Sequence, residues 1–72
     1  MISKKTAERV GKKLGIDFSV CSLKEFQMGM QAELEHRNVT HGDLVMTGKI
    51  AQAHLQEMPD YYTRLKKMEK GG

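Results

Sequence analysis

The chain has 72 residues and a formal net charge of +3, and this length supports one small domain with a limited core. Its single cysteine, Cys21, excludes an internal disulfide and a four-thiolate zinc site. No apolar run approaches the roughly 20 residues that span a bilayer. We therefore expect a cytoplasmic protein without a membrane segment, folded as a single domain over residues 1–72, with residues 1–2 and 70–72 frayed.

The first predicted element is a short helix between Ser3 and Gly15. Serine is a favoured N-cap residue, and glycine is favoured just after a helix C-terminus. Between them, apolar residues repeat at intervals of three and four, the spacing of one helix face. These residues are Ala7, Val10 and Leu14.

The stretch GIDFSV follows, with apolar residues at alternate positions. A single strand without a partner forms no sheet, so we predict an extended linker whose Ile16, Phe18 and Val20 enter the core.

A second helix is predicted to begin after Ser22 and to run to about Arg37. Ser22 and Glu25 have the spacing of a capping box, in which each side chain bonds the backbone N–H of the other residue. The apolar stripe that follows has helical period and should face the core. It consists of Leu23, Phe26, Met30 and Leu34.

Two more helices complete the prediction. Thr40 with Asp43 indicates the start of a third helix, whose stripe contains Leu44, Ile50, Ala51, Leu55 and Met58. Pro59 can open a fourth helix, with Asp60 in its first turn and with Tyr62, Leu65 and Met68 directed inward. The fold class is therefore all-α, a single-core bundle of about four short helices, in which Gly48 brings the third helix close against the second.

Two stretches resemble a family of small uncharacterised proteins from bacteria and their viruses. They are FQMGMQAELEH and VTHGDLVMTGKIAQAHLQEMPDYYTRL. The shared features are a Gly-containing helix ending in ELEH, a Val-Thr turn and the pattern TGKIAxAHLxExPDYYxRL. The resemblance covers about Ala7 to Glu69 and implies a bacterial, viral or prophage origin, but it assigns no activity to any residue. This chain departs from the family's pattern at His41 and Gly42, where an acidic or neutral residue is usual.

Two Glu/His pairs are candidate metal ligands. Glu33 and His36 are three residues apart, as in the Glu-x-x-His pair with which ferritin-like bundles hold iron, and His54 and Glu57 repeat that spacing in reverse. Residues three apart project from one helix face. The two pairs therefore form a candidate set for a single zinc or iron ion.

A regular antiparallel hairpin would keep these pairs apart. With the turn near Thr40, they are offset by about seven residues, or about 10 Å along the helices. Ligands lie about 2 Å from their ion, so a site with all four residues needs a different crossing or a second chain. An alternative set clusters around the turn and avoids this difficulty: Glu33, His36, His41 and Asp43.

The same residues have a purely structural interpretation. Glu33 shares a face with Phe26 and Met30, where a carboxylate is tolerated only if it is hydrogen-bonded, for example by capping another helix. His36 and His54 would then be half-buried residues bonded to a carbonyl, to Tyr61 or to a carboxylate. Both interpretations stay open, with either no cofactor or one zinc or iron ion.

Met28 and Met46 lie off the main stripes of their helices and indicate a contact surface. Exposed methionines are common on adaptable binding surfaces, and small domains often gain stability by oligomerising. We expect a binding or adaptor module that contacts another protein or forms a homodimer. An enzyme is not expected, because no nucleophile stands beside a base and the chain is too short to enclose a substrate pocket.

Both ends of the chain are basic, so binding to a nucleic-acid backbone is a third hypothesis. Phosphate contacts need clustered cations, which the N-terminal segment supplies as Lys4, Lys5, Lys12 and Lys13. Aromatic residues are not interleaved with these lysines, and no base-reading motif is present. We therefore expect only weak binding.

Overall fold

The computed structural model describes residues 2–35 and 43–71, with side chains described as far as residue 68. Four helices follow one another in this part of the chain: α1 Lys4–Leu14, α2 Leu23–Leu34, α3 Leu44–Glu57 and α4 Tyr61–Gly71. The described residues contain no strand, which confirms the predicted all-α bundle. None of these helices is long and apolar enough to cross a membrane.

Helix ends follow the capping residues closely. The Thr6 N–H donates to Ser3 Oγ at 3.1 Å, and Gly15 ends α1 in the left-handed region with a φ of 73°, where glycine has no steric penalty. The Glu25 N–H donates to Ser22 Oγ at 3.0 Å. These caps confirm the predicted starts of α1 and α2 and the predicted end of α1.

Two helix boundaries differ from the prediction. Helix α2 ends at Leu34, earlier than the predicted Arg37, which lies outside the described residues. Helix α3 is capped by Asp43 itself, whose carboxylate accepts the N–H groups of Val45 and Met46. Thr40 also lies outside the described residues. A carboxylate that bonds two otherwise unsatisfied amides is a sufficient N-cap.

The core forms where α1, α2 and α3 meet. Phe26 and Met30 of α2 are fully buried, and apolar residues of the two neighbouring helices are buried beside them: Ala7, Val10, Ala51 and Leu55. Gly48 lies at the crossing, where a Cβ atom would be 2.6 Å from Val10 Cγ1 and 3.3 Å from Phe26 Cζ. At Gly48, helix α3 therefore lies close to α2, as predicted, and close to α1 as well.

The linker between α1 and α2 is a compact turn, so the prediction of an extended segment was wrong. The Val20 N–H donates to the Asp17 carbonyl, and the Asp17 carboxylate accepts from both the hydroxyl and the N–H of Ser19, which lowers its pKa. Phe18 packs against Phe26 with ring centroids 6.0 Å apart. Val20 instead lies on the exposed outer side of the turn.

Three apolar side chains at predicted core positions are also exposed: Leu44, Met58 and, most strongly, Met68. Leu44 and Met58 lie at the two ends of α3, and Met68 lies in the C-terminal half of α4. Helical period selects a face along the whole helix, but only the part of that face that meets another element is buried.

The expected fraying of residues 1–2 does not apply to Ile2, which is buried. Its N–H donates to Gln31 Oε1 at 2.7 Å, and its carbonyl accepts from Gln27 Nε2 at 3.0 Å. Residue 1 lies outside the described residues. At the other end of the chain, α4 continues to Gly71.

Candidate functional site

One stripe of α2 faces α4 and carries two carboxylates. Its residues are four apart in the sequence, so they project from one side of the helix: Glu25, Gly29 and Glu33. Gly29 allows the ring of Tyr62 to lie directly on the α2 backbone, since a Cβ atom there would be 2.8 Å from Tyr62 Cδ2. The two glutamates bind α4 on either side of this contact.

Glu25 caps the start of α4 from another helix. It is buried, and its carboxylate accepts the Thr63 N–H at 2.9 Å and the Thr63 hydroxyl. Thr63 is the third residue of α4, so its N–H has no acceptor within the helix. The capping box predicted for Ser22 and Glu25 is thus only half formed, because the Glu25 side chain reaches α4 instead of the Ser22 N–H.

Asp60, the local carboxylate at the start of α4, has a different partner. It precedes the helix and accepts from Arg64 Nε, with both of its oxygens at 2.9 Å. The pair is exposed and so adds little to stability. The capping of α4 therefore depends on Glu25.

Glu33 joins a second polar cluster with His54 and Tyr62. The Tyr62 hydroxyl donates to Glu33 Oε2 at 2.8 Å, and His54 Nε2 lies 3.7 Å from the same oxygen. Burial raises the pKa of Tyr62 well above its ordinary range, and the bond to the Glu33 carboxylate raises it further. The phenol therefore stays protonated as a donor to Glu33.

The imidazole of His54 is held by Tyr61. The two rings stack with centroids 4.5 Å apart and an interplanar angle of 9°. Through these contacts α3, α2 and the first turn of α4 meet at one place. The structural interpretation named Tyr61 and a carboxylate as hydrogen-bond partners of His54; these groups do lie beside the imidazole, but by stacking and at 3.7 Å. For Glu33 it anticipated a hydrogen bond, which Tyr62 provides.

The structure brings together only part of the first metal-ligand set. Glu33 and His54 are in contact, whereas Glu57 is exposed at the end of α3, and His36 lies outside the described residues. Phe26 of α2 contacts Gly48 of α3, and Glu33, further along α2, contacts His54, further along α3. In an antiparallel hairpin, the later residue of α2 would contact the earlier residue of α3. These helices do not form the assumed antiparallel hairpin, and the predicted offset of about 10 Å was wrong for Glu33 and His54.

The alternative set falls largely outside the described residues. His36 and His41 both belong to the part of the chain between residues 35 and 43, and Asp43 uses its carboxylate to cap α3. Within residues 2–35 and 43–68, no three His, Cys, Asp or Glu side chains are grouped so that they could share an ion.

The two predicted contact residues lie in different surroundings. Met28 is partly buried and lines an open groove of about 490 Å³ that runs along α2 between Ile2 and α4. Met46 is 45% exposed in the first turn of α3. We name the first feature the α2 groove. Its remaining lining residues are Lys24, Gln27, Gln31, Ala32, Glu35, Tyr62, Leu65 and Lys66.

The four lysines of the nucleic-acid hypothesis lie on α1 and are all exposed. Lys12 stands 4.0 Å from Glu8, a distance at which an exposed pair contributes little. The lysine side chains therefore surround the outer side of α1, away from the α1 residues that enter the core.

Several important residues were not identified from the sequence. Gln27 and Gln31 hold Ile2, and Glu25 caps a helix 38 positions away. The spacing of Glu25, Gly29 and Glu33 does indicate a helix contact, because two carboxylates flank a glycine on one helix face and the glycine lets another element approach closely.

Cys21 is buried and free, and burial raises the pKa of its thiol. A raised pKa leaves little of the reactive thiolate at neutral pH. The structural role that its surroundings favour is to fill the core.

Comparison with known proteins gives one match. The sequence matches a family described as "Protein of unknown function (DUF5661)" over residues 7–71, which confirms the expected membership of an uncharacterised family. Searches of curated proteins and of solved structures find no match. Since the matched region spans nearly the whole chain, the chain belongs to the DUF5661 family.

Proposed function

We propose that this chain is a small helical binding module that acts by contact with another protein or with its own copy, and that the α2 groove is its contact surface. The observation that carries the proposal is the open groove of about 490 Å³ beside Met28, Ala32 and Leu65. Laying a helix or a segment of a partner into an apolar groove is a common mode of protein recognition. The flexible thioether of Met28 suits such a surface.

The proposal includes no catalytic role. The polar side chains that the fold brings together are engaged in holding α4, as Glu25 bonds Thr63 and Tyr62 bonds Glu33. Among the described residues, every fully buried side-chain nitrogen or oxygen has a hydrogen-bond partner. This arrangement supports a rigid scaffold for the groove.

Site-specific photocrosslinking tests the proposal. A photoreactive phenylalanine analogue replaces Met28, Met46 or, as a matched control, the exposed Met68, and the purified variants must keep the helical circular dichroism of the native chain. In the producing cell, position 28 should give a discrete adduct with one protein or with a second copy, and position 68 should not. Equal labelling from all three positions, or no discrete adduct from position 28, would contradict the proposal.

Metal binding is the second candidate, favoured by the 3.7 Å separation of Glu33 Oε2 and His54 Nε2. The ligand atoms of two residues that bind the same zinc or iron ion are separated by a distance only slightly shorter than the one between these two atoms. The candidate site uses Glu33 and His54, with His36 and Glu57 as further ligands.

The test is elemental analysis of protein purified without a histidine tag, followed by zinc and iron titration. His54→Ala and Glu33→Gln should each abolish binding, while Asp43→Ala should not, since Asp43 belongs only to the alternative set. Binding weaker than about 0.1 mM in the native chain would reject the candidate, because a preformed site should bind far more tightly.

The basic face of α1 supports a third, weaker activity toward a nucleic-acid backbone. A plot of the logarithm of its affinity against the logarithm of the salt concentration should have a slope of roughly −1 per phosphate neutralised. Binding should disappear near physiological salt. Joint replacement of Lys4, Lys5, Lys12 and Lys13 by Ala should abolish it at low salt. For all three activities we place the module in the cytoplasm of a bacterium or of a phage-infected cell, following the resemblance of its motifs.

A further inference from the structure

The floor of the α2 groove has a charge pattern that is complementary to itself when two copies face each other in opposite directions. Its residues are separated by four, four and three positions and so lie along one face of α2: Lys24, Met28, Ala32 and Glu35. A cation stands at one end, a carboxylate stands at the other end, and a large and a small apolar residue lie between them. The 11 positions from Lys24 to Glu35 correspond to about 16 Å of helix, or about three turns.

The charges at the two ends lack an ionic partner within the described chain. The salt bridges among the described residues involve neither Lys24 nor Glu35. Lys24 and Lys66 both line the α2 groove and also the adjoining hollow of about 400 Å³ near the start of α2. Glu25 also borders this hollow, but its carboxylate is occupied by Thr63. The basic end of the groove is therefore suited to an external carboxylate.

We infer that the occupant of the α2 groove is the α2 helix of a second copy, packed antiparallel about a two-fold axis. In this arrangement Lys24 of each copy faces Glu35 of the other, and Met28 of each copy faces the small Ala32. The contact is isologous, since each pair of residues occurs twice. Lys66 lies at the Lys24 end, so the Glu35 carboxylate of the second copy meets two cations.

The position of α4 is compatible with this arrangement. A two-fold axis perpendicular to α2 keeps both α4 helices on the same side of the paired α2 helices. Leu65, which lines the groove from α4, would then approach Leu65 of the second copy and extend the apolar contact. Self-association would also add buried surface to a chain that buries little by itself.

The inference rests on the proposed function, because it names the partner of the same groove. A charge exchange tests it with the whole chain. Lys24→Glu and Glu35→Lys should each weaken the dimer by about tenfold, since two ion pairs become two repulsions. The double variant restores opposite charges at both places and should return to the native dissociation constant. Lys49→Glu and Glu8→Lys, which change the same charges at exposed positions elsewhere, should have no effect.

The measurement is sedimentation equilibrium over a concentration series up to about 1 mM, a range that corresponds to roughly 4 kcal/mol of association. Circular dichroism of each variant must first match the native chain. A native dimer, weakened in both single variants and restored in the double variant, supports the inference. A native monomer throughout the series, or a double variant as weak as the single ones, overturns it.

The failure of the inference is distinguishable from the failure of the proposed function. If Met28→Glu dissociates a native dimer that the charge exchange leaves unchanged, the groove is a contact surface but the antiparallel packing is wrong. If the native chain is monomeric while position 28 crosslinks to a different protein, the partner is not a second copy. In both cases the inference is overturned and the proposed function is supported.

Discussion

The three-helix core and the attachment of α4 are built in different ways. Helices α1, α2 and α3 meet through apolar side chains around Phe26 and Met30, with Gly48 at their crossing. Among the described side chains of α4, Tyr62 is buried in the core and Tyr61 and Leu65 pack against it. The carboxylates of Glu25 and Glu33 add hydrogen bonds to this helix. Apolar burial is non-directional, whereas these hydrogen bonds fix one position of α4. The shape of the α2 groove therefore depends on these polar contacts as well as on apolar packing.

The largest expected effect is at the centre of the core. Phe26→Ala removes a fully buried ring and should lower the free energy of unfolding by about 3–5 kcal/mol, enough to threaten folding of a small domain. Leu65→Ala, at the partly buried edge of α4, should cost less than about 2 kcal/mol. Urea denaturation followed by circular dichroism checks both values. Equal losses would mean that Leu65 is packed as tightly as the centre of the core.

The helix crossing at Gly48 should give the next largest effect. Gly48→Leu places a side chain against Val10 and Phe26, which are already in close contact there, and should destabilise by about 1–3 kcal/mol through overpacking. Ala53→Leu is the matched control, because Ala53 is exposed on the same helix. An unchanged thermal midpoint for Gly48→Leu would mean that the helices do not pack closely at Gly48.

The sequence predicted the core better than the attachment of α4, and the reason is physical. Caps such as Ser3 and apolar spacing such as that of Phe26 and Met30 are local signals, which act within a few residues of the chain. The partner of Glu25 is 38 positions away, and no local pattern specifies such a pair. Glu33 and His54 were recognised as chemically notable, but an assumed hairpin kept them apart.

The smallest expected effect concerns the hydrogen bond from Tyr62 to Glu33. Tyr62→Phe should cost about 0.5–1.5 kcal/mol at neutral pH. The folded chain raises the pKa of this phenol above its ordinary value of 10.0, so it favours the protonated form relative to the unfolded chain. This contribution is complete below the unfolded pKa of about 10 and is lost as the pH rises above it.

Urea denaturation of both proteins at pH 8 and at about pH 11 checks the sign of this linkage. The stability advantage of the native chain over Tyr62→Phe should shrink at the higher pH. A gap that stays constant or widens would contradict the burial of a protonated Tyr62 against Glu33.

Native-state amide hydrogen exchange of the Glu25→Ala variant tests most directly whether a buried carboxylate holds α4 on α2. The Thr63 N–H bonds Glu25 Oε2 and has no acceptor within its own helix, so its protection depends on that side chain. We expect protection at Thr63 to fall by at least about tenfold and later α4 amides also to exchange faster, while α2 and α3 amides change only slightly. Glu8→Ala, which removes an exposed carboxylate from α1, should leave the whole pattern as in the native chain. Unchanged protection at Thr63, or an equal loss at Phe26, Ala51 and Thr63, would contradict this role of Glu25.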